Sequence, residues 1–222
     1  MLKNLPNIKN QGLKDTAFTH RSYLNENPQK DLSSNERLEF LGDSILSFVV
    51  SDYLYKNFTH LPEGDLTNLR ALLVQAKTLG IISSDLGFGA HLRMSKGEAD
   101  GGGRENNTIL ANTYEAVIGA LFLDRGLLEV TEFIKTTLLI RIPQILEKGS
   151  FKDDKSLLQE LVQEKHLPAP IYKILKSEGP DHAKVFTVGV YINDKLATRG
   201  SGRSKNEAEK QAAQKALMAF KK

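Results

Sequence analysis

An all-α domain followed by a small α+β domain of order α-β-β-β-α is the fold class that this 222-residue sequence predicts. Three observations predict it. Residues 1–146 carry helical spacing of apolar side chains and no convincing period-2 strand. A polar stretch over 147–153 (Glu147-Lys148-Gly149-Ser150-Phe151-Lys152-Asp153) reads as a linker. Residues 154–222 then run helix, β-rich segments and an alanine-rich helix. Charge divides at the same place: residues 1–150 hold 16 Lys+Arg against 18 Asp+Glu, a net −2, and residues 151–222 hold 14 against 9, a net +5. An acidic first part suits a bound cation and a basic second part suits a polyanion.

The elements follow in order. Ser33-Ser34-Asn35-Glu36 has the S-x-x-E spacing of a capping box and predicts a helix from there to about Asn57. Leu61-Pro62-Glu63-Gly64 breaks it. Asp65 can cap a helix whose face is Leu66, Leu69, Leu72, Leu73 and Ala76. Gly87-Phe88-Gly89 and Gly101-Gly102-Gly103 mark loops. A helix runs from Thr108 to Leu123 and another from about Leu127 to Leu139, with Pro143 behind it. Past the linker come a helix from Lys155 to Lys165, a Pro168-Ala169-Pro170 break, a β-rich run through Val185, Val188, Val190 and Ile192, a short neighbour at Leu196–Thr198, and a last helix from about Lys205 to Phe220.

The first long helix carries Glu36, Glu39 and Asp43, spaced i, i+3, i+7, so they share one stripe. Glu63 before the next helix, and Asn112 with Glu115 on a later one, add oxygen donors. Asp43 lies between Phe40-Leu41-Gly42 and Ser44-Ile45-Leu46, and Glu115 between Leu110-Ala111 and Val117-Ile118. Acids in apolar runs are costly unless paired or metal-bound. On the residues alone they read either as structural and solvated acids or as a divalent-cation site. Hard oxygen donors suit Mg²⁺. With no cysteine and five scattered histidines, disulfides and thiolate zinc sites are excluded.

Asn35 to Leu46, Pro62-Glu63-Gly64-Asp65-Leu66, Ile109 to Ala116 and Thr19-His20-Arg21-Ser22 together resemble the bacterial ribonuclease III family, in its order and at its spacing. Residues 154–222 resemble a double-stranded-RNA-binding domain, through Leu157-Leu158-Gln159-Glu160, Pro170-Ile171-Tyr172, Gly179 to Phe186 and Gly200 to Glu209. The resemblance implies a Mg²⁺-dependent endonuclease, with Mn²⁺ able to stand in, that cleaves double-stranded RNA to 5′-phosphate and 3′-hydroxyl ends. It implies metal ligation by Glu39, Asp43, Asn112 and Glu115, and catalytic roles for Asp43 and Glu115, with Glu36 and Glu63 in the same acidic valley. The family position matching Asn112 is usually aspartate, which predicts a higher Mg²⁺ requirement. Phe40 matches an aromatic that enters a partner subunit, implying a homodimer. Gln159, Glu160 and His182 match minor-groove contacts, and Arg203, Lys205 and Asn206 match contacts to phosphates. Ribosomal and other RNA precursors are the family's expected substrates.

Two rival readings remain at this level: a catalytically weakened or inactive double-stranded-RNA-binding protein, favoured by Asn112, and an RNA chaperone working through its second domain alone. The second leaves the acids unexplained. Gly101-Gly102-Gly103 lacks the Lys-[Ser/Thr] of a phosphate loop, so no nucleotide cofactor is expected. Apolar runs such as Ile45–Val50 and Ala116–Leu123 fall short of the ~20 residues of a membrane span, and Met1-Leu2-Lys3-Asn4 lacks a signal peptide's apolar core. A cytoplasmic protein without a membrane partner is expected.

Overall fold

The computed structural model describes residues 5–27, 32–147, 154–180 and 184–220. The chain divides into two compact units, Met1–Phe151 and Lys152–Lys222. The first contains α1 (Gln11–Ala17), α2 (Arg21–Glu26), α3 (Glu36–Asn57), α4 (Glu63–Val74), α5 (Ala76–Asp85), α6 (Phe88–His91), α7 (Lys96–Asp100), α8 (Asn107–Arg125), α9 (Leu127–Thr137) and α10 (Ile142–Glu147). Its only β-type contact among the described residues is a single bridge from Thr19 to Arg93.

α8 is the central element. Leu110, Ala111, Thr113, Tyr114 and Ala116 to Leu121 are all buried, so the helix is apolar on nearly every side and is enclosed by its neighbours. It is fixed from two directions. Ser83 of α5 donates its hydroxyl to the Leu110 carbonyl, and Tyr114, fully buried, hydrogen-bonds Thr137 of α9 at 2.6 Å and stacks on Phe133. α3 lies against it with Leu38, Ile45, Leu46, Val49, Val50 and Leu54 inside.

Three local expectations are corrected. α3 starts at Glu36 with Asn35 as its N-cap, and no capping box forms at Ser33. Asn35 turns its amide inward to the Ala17 carbonyl, and Ser34 donates to Glu36 at 2.8 Å. Asp65 does not cap: α4 begins two residues earlier, at Glu63, and Asp65 is buried inside its first turn. The apolar face expected to run through Ala76 is split, because Gln75 is extended (φ −66°, ψ 149°) and separates α4 from α5.

The second unit is α11 (Asp154–Glu164), β1 (Ile171–Glu178), β2 (Val185–Ile192), β3 (Lys195–Gly202) and α12 (Lys205–Phe220). The strands form an antiparallel sheet of order β1-β2-β3. Asn193 and Asp194, both at positive φ, make the two-residue turn between β2 and β3. β3 is longer than the short neighbour expected at Leu196–Thr198. Gly200 and Gly202 lie in it facing α12, where a Cβ would come within 2.2 Å and 2.7 Å of the Ala208 backbone. Leu158, Val162, Val190, Ile192, Ala212, Ala213 and Ala216 fill the core between helices and sheet.

Candidate active site

α3 carries Glu36, Glu39 and Asp43, and α8 carries Asn112 and Glu115. The closeness of the crossing between these two helices brings the groups together. A Cβ on Gly42 would stand 1.8 Å from the Glu115 carbonyl oxygen, and one on Gly119 would stand 2.3 Å from that of Leu38. Neither position has room for a side chain, so each glycine lies directly on the other helix's backbone. Glu39 and Asp43, which flank Gly42, are thereby set against Glu115. The spacing of the acids does not flag these glycines; the available signal is a glycine inside each helical run, which often has a packing reason.

The electrostatics record the crowding. Burial, first, and then the charges of Asp43 and Glu39 push the Glu115 carboxyl up to about 7. Burial and the charge of Glu36, with Asp43 behind, raise Glu39, and a hydrogen bond from the Asn112 amide opposes the rise. Asn112 thus stands beside Glu39, with an N–H able to donate to that carboxylate and a carbonyl oxygen able to face a cation. Asp43 is exposed, not enclosed by the apolar residues beside it in sequence; the half-buried acids are Glu39 and Glu115. Among the described residues no three His, Cys, Asp or Glu side chains are grouped closely enough to hold a metal ion as they stand. The acids adjoin without closing into a cage. Their chemistry fits a hard divalent cation: three carboxylates and one amide carbonyl, all oxygen, with like charges that a cation would neutralise.

The remaining expected residues are placed as follows. Glu36 is exposed, 3.7 Å from Arg21, and sits within the electrostatic reach of Glu39. Glu63 is not brought to the others within one chain. It opens α4, accepts from Thr67 at 2.9 Å, and lines a separate cavity with Phe48, Asp52, Tyr55 and Arg70. Phe40 is 78% exposed on α3, and Phe48 and Tyr55 of the same helix are exposed as well. In the second unit, Gln159 is exposed and Glu160 half-buried on α11, while Arg203 precedes α12 and Lys205 and Asn206 open it, all three exposed. The start of α12 has the capping pair that α3 lacks: Ser204 accepts from the Glu207 N–H at 3.1 Å, and Glu207 accepts from the Arg203 N–H at 2.7 Å. His182 lies outside the described residues, as do residues 148–153 of the expected linker.

Comparison with known proteins agrees with this division. Residues 10–142 match the ribonuclease-III-like family model, and residues 155–218 match the double-stranded RNA binding motif. Ribonuclease 3 of Borreliella afzelii is 43% identical over 220 residues, covering 99% of this chain and 89% of the relative. Ribonuclease 3 of Pelotomaculum thermopropionicum is 46% identical over 220 residues, covering 98% and 91%. Among solved structures, the nuclease domain of ribonuclease III from Campylobacter jejuni, described for flexibility in a region involved in dimer formation, is 41% identical. It matches with a TM-score of 0.51, over 60% of this chain and 86% of that one. Dicer from Pichia stipitis matches over 98% of both chains at 28% identity and a TM-score of 0.50. With the acid-bearing helix pair in its first unit and an α-β-β-β-α module after it, the chain belongs to the ribonuclease III family.

Proposed function

We propose that the protein is a Mg²⁺-dependent endoribonuclease that hydrolyses double-stranded RNA as a homodimer. The observation that carries this is the meeting of Glu39 and Asp43 from α3 with Glu115 from α8. Burial and the charges of Asp43 and Glu39 raise the proton affinity of the Glu115 carboxyl, and the same chain holds a double-stranded RNA binding motif. Glu39, Asp43, Asn112 and Glu115 would hold Mg²⁺, or Mn²⁺ in its place, and the bound cation supplies a Lewis acid for water and phosphate. The chain's own groups do the rest. Asn112, neutral beside Glu39, can donate its amide N–H to that carboxylate and favours its ionised form. Hydrolysis adds water across the P–O3′ bond, leaving a 5′-phosphate on one fragment and a 3′-hydroxyl on the other. The exposed faces of α11 and the start of α12 would bind the duplex by shape and phosphate, through Gln159, Glu160, Arg203, Lys205 and Asn206.

Dimerisation is supported by α3 itself. Phe40, Phe48 and Tyr55 expose three aromatic rings along one helix, an apolar surface of the kind that marks an interface. A cavity of about 470 Å³ lies beside Phe48 and Tyr55 and could receive an aromatic ring. A two-fold pair carries one acid cluster per subunit and so can cut both strands. No described helix is long and apolar enough to cross a membrane. The proposed setting is the cytoplasm and the proposed substrates are ribosomal and other RNA precursors.

The test is a long end-labelled duplex RNA incubated with Mg²⁺ or with chelator. Cutting only with Mg²⁺, abolished by Glu115→Gln, is the expected result. Binding without cutting across a wide Mg²⁺ range would sink the proposal.

A further inference from the structure

We infer that His20, Arg21 and Asn106 form a phosphate-binding edge that holds the cleaved RNA strand beside the acids. The inference rests on the endoribonuclease reading above. A cavity of about 850 Å³ adjoins the acid cluster, within the usual range of ligand sites. Glu36, Glu39 and Asn112 line it, and so do His20, Arg21 and Asn106. It therefore presents both the proposed cation ligands and a set of hydrogen-bond donors.

Two of the three donors, His20 and Asn106, are fixed by bonds made elsewhere. The Ser95 N–H donates to Ser22 Oγ at 3.0 Å, so the Ser22 hydroxyl is free to give its own hydrogen to His20 Nδ1, 2.8 Å away. The Ser22 N–H also donates to Nδ1, at 3.4 Å. Both Ser22 groups can donate to Nδ1; in that tautomer the ring hydrogen is on Nε2, where no described group accepts it. Asn106 turns Oδ1 to the N–H groups of Thr108 and Ile109, at 2.9 and 3.3 Å, which leaves its NH₂ to donate. Arg21 has one ionic partner among the described residues, Glu36 at 3.7 Å, with 74% and 56% of the two side chains exposed. Such an open pair is weak and exchanges readily for a phosphate that the guanidinium fork can grip with two hydrogen bonds.

The edge is also anchored. The His20 N–H donates to the Arg93 carbonyl at 2.9 Å, and Thr19 bridges to Arg93. Glu98 borders the same cavity with Glu36 and Glu39, so three acids face the one arginine and the formal charge there is negative. A phosphate would be selected by directed donors and not by bulk attraction.

Arg21→Gln in the full chain tests this with duplex RNA and Mg²⁺. kcat/KM should fall roughly tenfold, as expected for a charge-assisted contact. The slope of log(kcat/KM) against log salt should become shallower by about 0.7–0.9, the signature of one lost phosphate contact. Arg21→Lys should restore that slope, and His20→Gln should lower kcat/KM severalfold with the slope unchanged. If the wild type cuts but Arg21→Gln keeps its salt slope, Arg21 serves only to neutralise Glu36 and the inference is wrong, whatever the rate. If the wild type does not cut, the endoribonuclease reading falls and this inference falls with it.

Discussion

Both units use glycine to bring elements close, and they put the closeness to opposite uses. In the first, Gly42 and Gly119 let α3 and α8 touch backbone to backbone, which presses carboxylates of like charge together under partial burial. In the second, Gly200 and Gly202 let α12 settle onto β3, which buries Ala208, Ala212, Ala213 and Ala216 and leaves Arg203, Lys205 and Asn206 in solvent. The first site is held together against its own electrostatics by the packing around it. The second is a set of separately exposed side chains, proposed to contact RNA. Perturbations of the first should be large, coupled, and sensitive to pH and metal; those of the second should be small, additive and sensitive to salt.

Gly42→Ala is the strongest test. Its methyl group has no space before the Glu115 carbonyl, so the two helices must separate. Overpacking of this kind costs typically ~1–3 kcal/mol, and occasionally more. Separation also moves Glu39 and Asp43 away from Glu115. Denaturant melts should show a loss of at least that order, and duplex cleavage should fall to background even in the fraction that remains folded. A variant with wild-type stability and cutting would show that the close crossing does not set the site.

Glu115 supplies the next effect, and its sign is fixed by burial. Its carboxyl sits near 7 in the folded chain against an ordinary value of 4.5, so between those values the folded state holds the proton more tightly than the unfolded state does. The metal-free protein should therefore lose stability as pH rises from about 4.5 to 7 and change little from this source above. At ~1.4 kcal/mol per unit the ceiling is about 3 kcal/mol, and solvent screening of a half-buried group brings it to the order of 1–2. Melting temperatures in chelator at pH 5.5 and 8 should differ for the wild type and differ less for Glu115→Gln. Mg²⁺ should shrink the wild-type gap, since a cation favours the ionised carboxylate. An unchanged gap in Glu115→Gln would assign the effect to other groups.

Asn112 sharpens the same point at a single atom. It stands as a neutral neighbour of Glu39 where an aspartate would add another negative charge to the cluster. Asn112→Asp should lower the Mg²⁺ concentration that gives half-maximal cleavage by about threefold or more, because charge strengthens a hard-cation site. The same change should lower the melting temperature in chelator. Mg²⁺ titration of the cleavage rate reads the first effect and a melt reads the second.

Periodicity and local pattern made much of this legible. The limits expected for the last helix, Lys205 to Phe220, and the end of the first long helix at Asn57 match α12 and α3. The failures have one physical root, that a short pattern does not know its tertiary neighbours. S-x-x-E occurs at Ser33, Ser95 and Ser204, and only the first makes no cap, because Asn35 is drawn inward to Ala17. Asp43 lies among apolar residues in sequence yet is exposed in space, whereas Glu115, flanked in the same way, is half-buried. Glu63 falls within the family motif yet lies in another cavity of the chain. Which acids adjoin is decided by Gly42 and Gly119, and a glycine's reason for standing in a helix appears only once the opposing helix is in place.

The smallest expected effects belong to the second unit. Arg203 and Lys205 stand in solvent at the start of α12, and Arg203 and Ser204 are engaged with Glu207 only through the cap. Arg203→Gln and Lys205→Gln should each weaken duplex RNA binding by a few-fold and reduce the salt slope by roughly one contact's share. Because the two contacts are independent, the double variant should show the product of the single losses, with an unchanged melting temperature and an unchanged Mg²⁺ requirement for cleavage. Filter binding across a salt series reads this directly. A double variant much worse than that product, or one whose Mg²⁺ requirement moves, would mean that the two units' sites are coupled and that the contrast between them fails.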